Sequence, residues 1–192
     1  MIYETIITTI NEDGAPHFSP MGIYEQDGML VIAPFRPSVT LENLQRTQSA
    51  VINMTDDVTI FAGCLTGRND WPTVPAEHIK GQRLLNALSH IEVEVDHCDE
   101  DESRPGFFCS IKHKATHTPF MGFNRAQASV IEVAILVSRL RMLSQEKIES
   151  EIGYLQIAID KTAGEKEKQA WAWLMEYIEQ HKTEHRAEER IV

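Results

Sequence analysis

Hydrophobic residues along this chain change their spacing once. Up to about residue 117 they recur at every second position, in short runs broken by turn residues; after Asn124 they recur at helical spacing. A switch from period 2 to period 3.6 means that short strands must close a core among themselves before any long helix begins.

The first part reads as an antiparallel barrel or sandwich. Ile2 to Ile10 is a strand ended by the turn cluster Asn11-Glu-Asp13-Gly14. Phe18 to Tyr24 and Met29 to Phe35 flank Glu25-Gln-Asp27-Gly28 as a hairpin. Ala50 to Met54 and Val58 to Leu65 flank Thr55-Asp56-Asp57 and read as two further strands. His90 to Asp96 alternates apolar with polar residues, and Phe107 to Thr116 gives one more strand. Leu41 to Gln48 predicts one short helix. Residues 67–88 form a long insertion with a short helix near Gln82–Leu88, and Asp99 to Glu102 is an acidic, solvated loop tip.

The second part predicts three helices. Ala126, Val130, Val133, Ala134, Val137 and Leu140 mark the first, and Ile148, Ile152, Leu155 and Ile159 the second, capped by Ser144. Thr162-Ala-Gly-Glu165 has the form of a capping box opening the third, which carries Trp171, Leu174 and Ile178. The tail from His181 is charged and expected to fray. The two apolar stripes predict a hairpin packed on the barrel.

Charge removes several function classes. With 29 acidic and 18 basic residues the net charge is −11, which disfavours nucleic acid and anionic membranes as partners. Met1-Ile-Tyr-Glu-Thr-Ile enters strand-like sequence without a basic and apolar leader, and no run reaches the ~18 apolar residues of a spanning helix. A cytoplasmic location is expected. Cys64, Cys98 and Cys109 are odd in number and widely spaced, so reduced structural thiols are expected rather than a disulfide framework. His78, His90 and His97 show no ligand spacing, and His113 and His117, four strand residues apart, span ~13 Å. No metal site is expected, and no nucleophile elbow, phosphate-binding loop or dinucleotide fingerprint is present.

The informative stretch is Phe35-Arg-Pro-Ser-Val-Thr-Leu-Glu-Asn-Leu44. Arg36, Ser38 and Thr40 project to one side if the chain stays extended, and Thr40 opens a helix with Asn43 one turn in. A guanidinium, two hydroxyls and a helix N-terminus suit an anion, of which phosphate is the natural example; plain helix capping is the alternative. On the preceding strand, Pro20 and Gly22 of Pro16-His-Phe-Ser-Pro-Met-Gly22 leave room for a flat ligand against the backbone. Asn53-Met-Thr-Asp56 closes another strand with short polar side chains.

In this order the pieces resemble the DUF447 family of flavin-reductase-like proteins. The resemblance is carried by Glu4-Thr-Ile with Thr8-Thr9, Pro20-Met-Gly22, Arg36-x-x-x-Thr40-x-x-Asn43-Leu44, Asn53-Met-Thr-Asp-Asp57, Phe123-Asn-Arg-Ala126, Val130-Ile-Glu132 and Lys161-Thr-Ala-Gly-Glu165, spanning residues 3 to about 180. It implies an α+β fold: an antiparallel Greek-key split β-barrel binding FMN over residues 1–122, and a C-terminal helical subdomain over 123–192. It also implies a homodimer with flavin near the subunit interface. By the same resemblance Arg36, Ser38, Thr40 and Asn43 would hold phosphate, and Ser19, Pro20, Met21 and Gly22 would line the ring. Asn53 and Thr55 would meet the ring or ribityl chain, and Asn124 and Arg125 would add to the phosphate site or serve as a helix cap and surface pair. His17 stands where the family pattern leads one to expect Asn.

Three functions follow as expectations. The first is an FMN-dependent oxidoreductase acting on a small redox substrate, with reduced pterins of one-carbon metabolism suggested by family analogy. The second is a flavin carrier or store without a substrate pocket, and the third an interaction protein with an empty barrel. No side chain can be named acid, base or nucleophile from the sequence.

Overall fold

The computed structural model describes the backbone of residues 1–189 and the side chains of residues 1–183. The chain divides into two compact units. The first comprises Met1–Asp56 and Asn69–Phe120; the second comprises Asp57–Arg68 and the chain from Met121 onward. A single cut near residue 122 therefore misses Asp57–Arg68, which lies with the C-terminal helices.

The first unit is a closed antiparallel barrel of six strands. These are β1 (Ile2–Ile10), β2 (Pro16–Gln26), β3 (Met29–Ile32), β4 (Ser49–Met54), β7 (Ser89–Asp99) and β8 (Gly106–Thr116), in the order β1-β2-β3-β8-β7-β4 with β4 returning to β1. Helix α1 (Val39–Thr47) connects β3 to β4. Ile7, Ile23, Ile32, Ala50, Ile52, Val93, Phe107 and Cys109 fill the core together with Leu41 and Leu44 of α1. Six strands make only a narrow interior, so one helix face and about eight inward side chains suffice to fill it.

Segment 69–88 covers part of the barrel's outside. Its strands β5 (Thr73–Pro75) and β6 (Gln82–Leu84) pair with each other, so the helix expected near Gln82–Leu88 is replaced by a strand. This cover explains why Val51, Asn53, His90 and Glu92, which alternate with the core residues of β4 and β7, have no solvent exposure. Two register shifts in the β7–β8 ladder bend this wall, one between Glu92 and Val93 and one between Val95 and His97.

The second unit is helical: α2 (Val58–Leu65), α3 (Arg125–Val137), a 3-10 turn at Leu140–Met142, α4 (Gln145–Thr162) and α5 (Glu165–Glu189). Val58–Leu65 was expected as a strand. Its run of β-branched and aromatic residues is equally consistent with a helix buried on all sides, and Asp57 caps that helix by accepting from the Thr59 amide at 3.2 Å. Val58 and Ala62 join Val130, Val133, Ala134, Ile148, Ile159, Trp171, Leu174 and Ile178 in one core. Helices α4 and α5 each pack on α3, and α5 also packs on α2; they touch each other far less than a closed hairpin would.

The expected capping box is displaced. Thr162 ends α4, donating to Ala158 O at 2.8 Å, while Glu167 Oε2 accepts the Gly164 amide at 2.9 Å. A Cβ on Gly164 would lie 3.0 Å from that carboxylate, so glycine lets it approach. Helix α5 runs past His181, where fraying was expected; residues 190–192 lie outside the described residues. No helix among the described residues is long and apolar enough to cross a membrane.

Candidate functional site

Where β3 stops at Ile32, the chain turns through 33–38 into α1. The cap of α1 is Ser38, whose Oγ accepts the Leu41 amide at 3.3 Å. Thr40 is thus inside the first turn rather than at the cap. The amides of Val39 and Thr40 have no intrahelical acceptor, as for any helix start. Arg36 stands beside this end, and its guanidinium donates to the Glu100 carboxylate and, through Nε, to Asp101 O at 3.1 Å. Ser103 O accepts the Arg36 amide at 2.8 Å, and Ala33 O accepts from Arg104 at 3.0 Å. Asp101 receives the amides of Ser103 and Arg104 at 2.8 and 2.7 Å; those hydrogen bonds hold its carboxyl below the usual range. The acidic run is therefore more than a solvated tip: it braces the loop that carries Arg36.

The four residues assigned to phosphate do not all face one point. Arg36 and Ser38 stand at the helix start. Thr40 is buried, and so is Asn43, whose Nδ2 donates to Thr9 Oγ1 at 3.0 Å and Asn11 Oδ1 at 2.9 Å while its Oδ1 accepts from Arg46 at 2.9 Å. Asn43 fixes α1 to the end of β1, and both of its Nδ2 protons are used there.

An open backbone edge begins where β3 ends opposite Ile23. Strand β2 pairs with β1 along Pro16–Tyr24 but with β3 only from Ile23 to Gln26. Ser19, Pro20, Met21 and Gly22 thus have no β3 partner, and Pro20, lacking an amide proton, loses nothing there. Met21 O accepts from Thr5 Oγ1 at 2.9 Å. A Cβ on Gly22 would come within 2.6 Å of the exposed Ile2 side chain, so the glycine makes room for the β1 side chains. Burial pushes the His17 imidazole pKa down, so it is neutral near pH 7.

Asn53 lies inside the barrel wall. Expected beside the ring, it has no exposure. Its Nδ2 donates to Ile6 O and Thr8 Oγ1, both at 2.9 Å, and its Oδ1 accepts the Leu84 amide at 2.8 Å. It joins β1, β4 and β6. Thr55 follows β4, half-buried. Asn124 and Arg125 belong to the second unit. There Asn124 caps α3 by accepting the Ala126 amide at 2.8 Å and donates to Thr162 O at 3.2 Å, while Arg125 is exposed.

Sequence spacing missed a second cluster. The register pairs His113 directly with Glu92, and His90 lies on that same face of β7. Glu92 accepts the amides of Glu77 and His78, each at 2.7 Å, and lies 3.1 Å from His90 Nε2. Burial disfavours its charge, but the two amides and His90 outweigh that and lower its pKa. His90 Nδ1 is 2.9 Å from His117 Nε2, and burial, with Arg83 nearby, lowers the pKa of His117. Two of the thiols are not poised for chemistry: burial pushes Cys109 up to about 12 and raises Cys98. In the helical unit a cleft of about 570 Å³ includes Arg139, Arg141, Tyr177 and His181 in its lining; it presents no paired acid and base.

Residues 3–118 match the family described as protein of unknown function (DUF447), N-terminal domain, and residues 124–176 match the DUF447 C-terminal part. No curated relative matches the chain. Among solved structures, an FMN-bound DUF447 protein from Methanosarcina mazei is 20% identical with a TM-score of 0.80, covering 92% of this chain and 94% of its own. The 2-nitrobenzoate 2-nitroreductase of Pseudomonas fluorescens is 20% identical at 0.51, covering 59% of this chain and 64% of its own. The NADH:FAD oxidoreductase of Streptomyces globisporus C-1027 is 11% identical at 0.52, covering 59% and 70%. At these identities the likeness is one of fold, flavin-reductase-like and α+β.

Proposed function

The chain belongs to the DUF447 family, and from that premise we propose that it binds FMN and acts as an oxidoreductase of flavin-reductase-like type. One observation carries the reading: β2 has no β3 partner at Ser19–Gly22 because β3 ends opposite Ile23, and the segment that leaves β3 there carries Arg36 and the Ser38-capped start of α1. The donor set suits a phosphate monoester and the edge suits a flat ring. An FMN-bound family member with the same fold over 92% of this chain supports it.

In this reading Arg36 and Ser38 hold the phosphate, and Ser19, Pro20, Met21 and Gly22 line the ring with backbone atoms. Thr40 supplies its backbone amide rather than its hydroxyl. Thr55 meets the ribityl chain. Asn43 and Asn53 act through the fold and not by contact. When bound, FMN supplies hydride and single-electron transfer; the chain's own part is to orient it, and His17 adds a neutral imidazole on the same strand.

The substrate side of the proposal is a small, flat redox partner, reduced pterins being the class the family analogy suggests, in a cytoplasmic setting. A homodimer belongs to the same reading. Ile2, Tyr3, Phe35 and Ile111 of the barrel unit are exposed, and a two-fold partner is the commonest cover for such residues. Light scattering at micromolar concentration tests it, a monomeric mass counting against it.

The test of function is the absorbance of freshly purified protein, followed by its response to nicotinamide reductants. A flavin spectrum that bleaches and then reoxidises with a small acceptor supports the oxidoreductase. A flavin that no small acceptor reoxidises favours the carrier, and a colourless protein that ignores added FMN leaves the interaction protein.

A further inference from the structure

Glu77, His78 and His113 are separated by up to 36 positions in sequence, yet the fold brings one donor atom of each within 4.8 Å of the others. We propose that these three residues form a binding site for a divalent transition-metal ion of the zinc type. The proposal is independent of the flavin reading.

The donor chemistry selects the ion. Two imidazoles and one carboxylate suit zinc, cobalt, nickel or iron(II), whereas magnesium and calcium take oxygen ligands almost throughout. Around a tetrahedral zinc with bonds of ~2.0–2.1 Å the donors sit ~3.3 Å apart. The His78 and His113 ring centroids are 4.5 Å apart, and His113 Nε2 is 3.8 Å from Glu77 Oε1. Glu77 and His78 are exposed and His113 half-buried, so small side-chain rotations close the remaining gap, and an ion reaches them directly from solvent.

What sets this apart from a chance surface cluster is its base. Glu92, fully buried, accepts the backbone amides of both Glu77 and His78 at 2.7 Å. One carboxylate on β7 thereby holds two ligand-bearing residues over the third, its own cross-strand partner His113. It also places negative charge beneath the ion, as outer carboxylates do in metal sites. His117 is left out because its Nε2 faces His90 Nδ1 and Arg83 lies nearby. Three protein ligands leave a coordination position for water, and the ion would clamp residues 77–78 to β8.

The test titrates the full untagged chain, after chelator treatment, with Co²⁺ followed by visible absorption and with Zn²⁺ followed by calorimetry and melting temperature. The parent should take up one equivalent and melt higher with Zn²⁺ present, by mass action. Glu77→Gln, His78→Asn and His113→Asn should each weaken binding by at least roughly tenfold and remove the Zn²⁺-dependent rise in melting temperature, with FMN content unchanged. Glu77 and His78 are exposed, so their variants carry the test even if His113→Asn fails to fold. No uptake by the parent, or uptake that survives the Glu77 and His78 substitutions, overturns the proposal.

Discussion

The guanidinium of Arg36 donates to the carboxylate of Glu100, across the gap between the start of α1 and the loop joining β7 to β8. An internal anion therefore stands where the proposed phosphate would bind, and the two compete. Glu100→Gln should tighten FMN binding. The gain should be no more than about fivefold, because exposed ion pairs are worth at most ~1 kcal/mol, and it should shrink in high salt. Fluorescence titration with FMN at two ionic strengths checks this; weaker binding would mean that Glu100 supports the site.

Asn53 gives the second prediction. Asn53→Ala strips partners from Ile6 O, Thr8 Oγ1 and the Leu84 amide inside the barrel wall. Leaving buried groups unsatisfied costs about 1–3 kcal/mol. Urea unfolding should show that loss, while FMN affinity measured well below the melting transition stays unchanged. A stable variant with poor flavin affinity would return Asn53 to the ligand set.

Glu92 gives the third. Its carboxyl pKa is lowered from an ordinary value of 4.5 in the folded chain. A carboxyl with a depressed folded pKa contributes stability that is fully present above the unfolded value and is lost as pH falls through the folded value. Glu92→Gln should therefore destabilise the protein near neutrality and flatten the part of the acid-unfolding profile below about pH 4.5. Melting curves from pH 7 to pH 3 measure this. An acid limb identical to the parent's would place the pH-dependent stability in other carboxyls.

The barrel was legible in short apolar runs bounded by turn residues, as in β1, and in the sequence alternation of Ile91, Val93 and Val95 along β7. It was illegible where the sheet's outside is also covered, since His90 and Glu92 look like surface residues until segment 69–88 lies over them. Val58–Leu65 misled for a related reason: an apolar run buried on every side has no period to read, and only the Asp57-x-Thr59 start signals a helix. Gln82–Leu84 is too short for any pattern. In the candidate site, the sequence signalled the helix start that Ser38 caps but not the pairing of Arg36 with Glu100. Asn43 and Asn53 are buried hydrogen-bond hubs in the fold, which the sequence did not signal because a short polar side chain at a strand end or helix face looks the same whether it serves a ligand or the core. The Glu77–His78–His113 group had one local signal, the adjacent acid and imidazole at 77–78, but the pairing of His113 with Glu92 follows from a register shift that no spacing rule contains.

The most direct test of the central claim compares FMN with riboflavin on the parent chain and on Arg36→Ala. Riboflavin has the same ring and ribityl chain but no phosphate. The parent should bind one FMN per chain and prefer it to riboflavin by at least tenfold. Arg36→Ala should lose about ten- to hundredfold in FMN affinity, since charge-assisted bonds are worth roughly 1.5–3 kcal/mol, while its riboflavin affinity stays at the parent's level. Equal affinities for FMN and riboflavin, or an Arg36→Ala variant that binds FMN like the parent, would contradict a phosphate site at the start of α1.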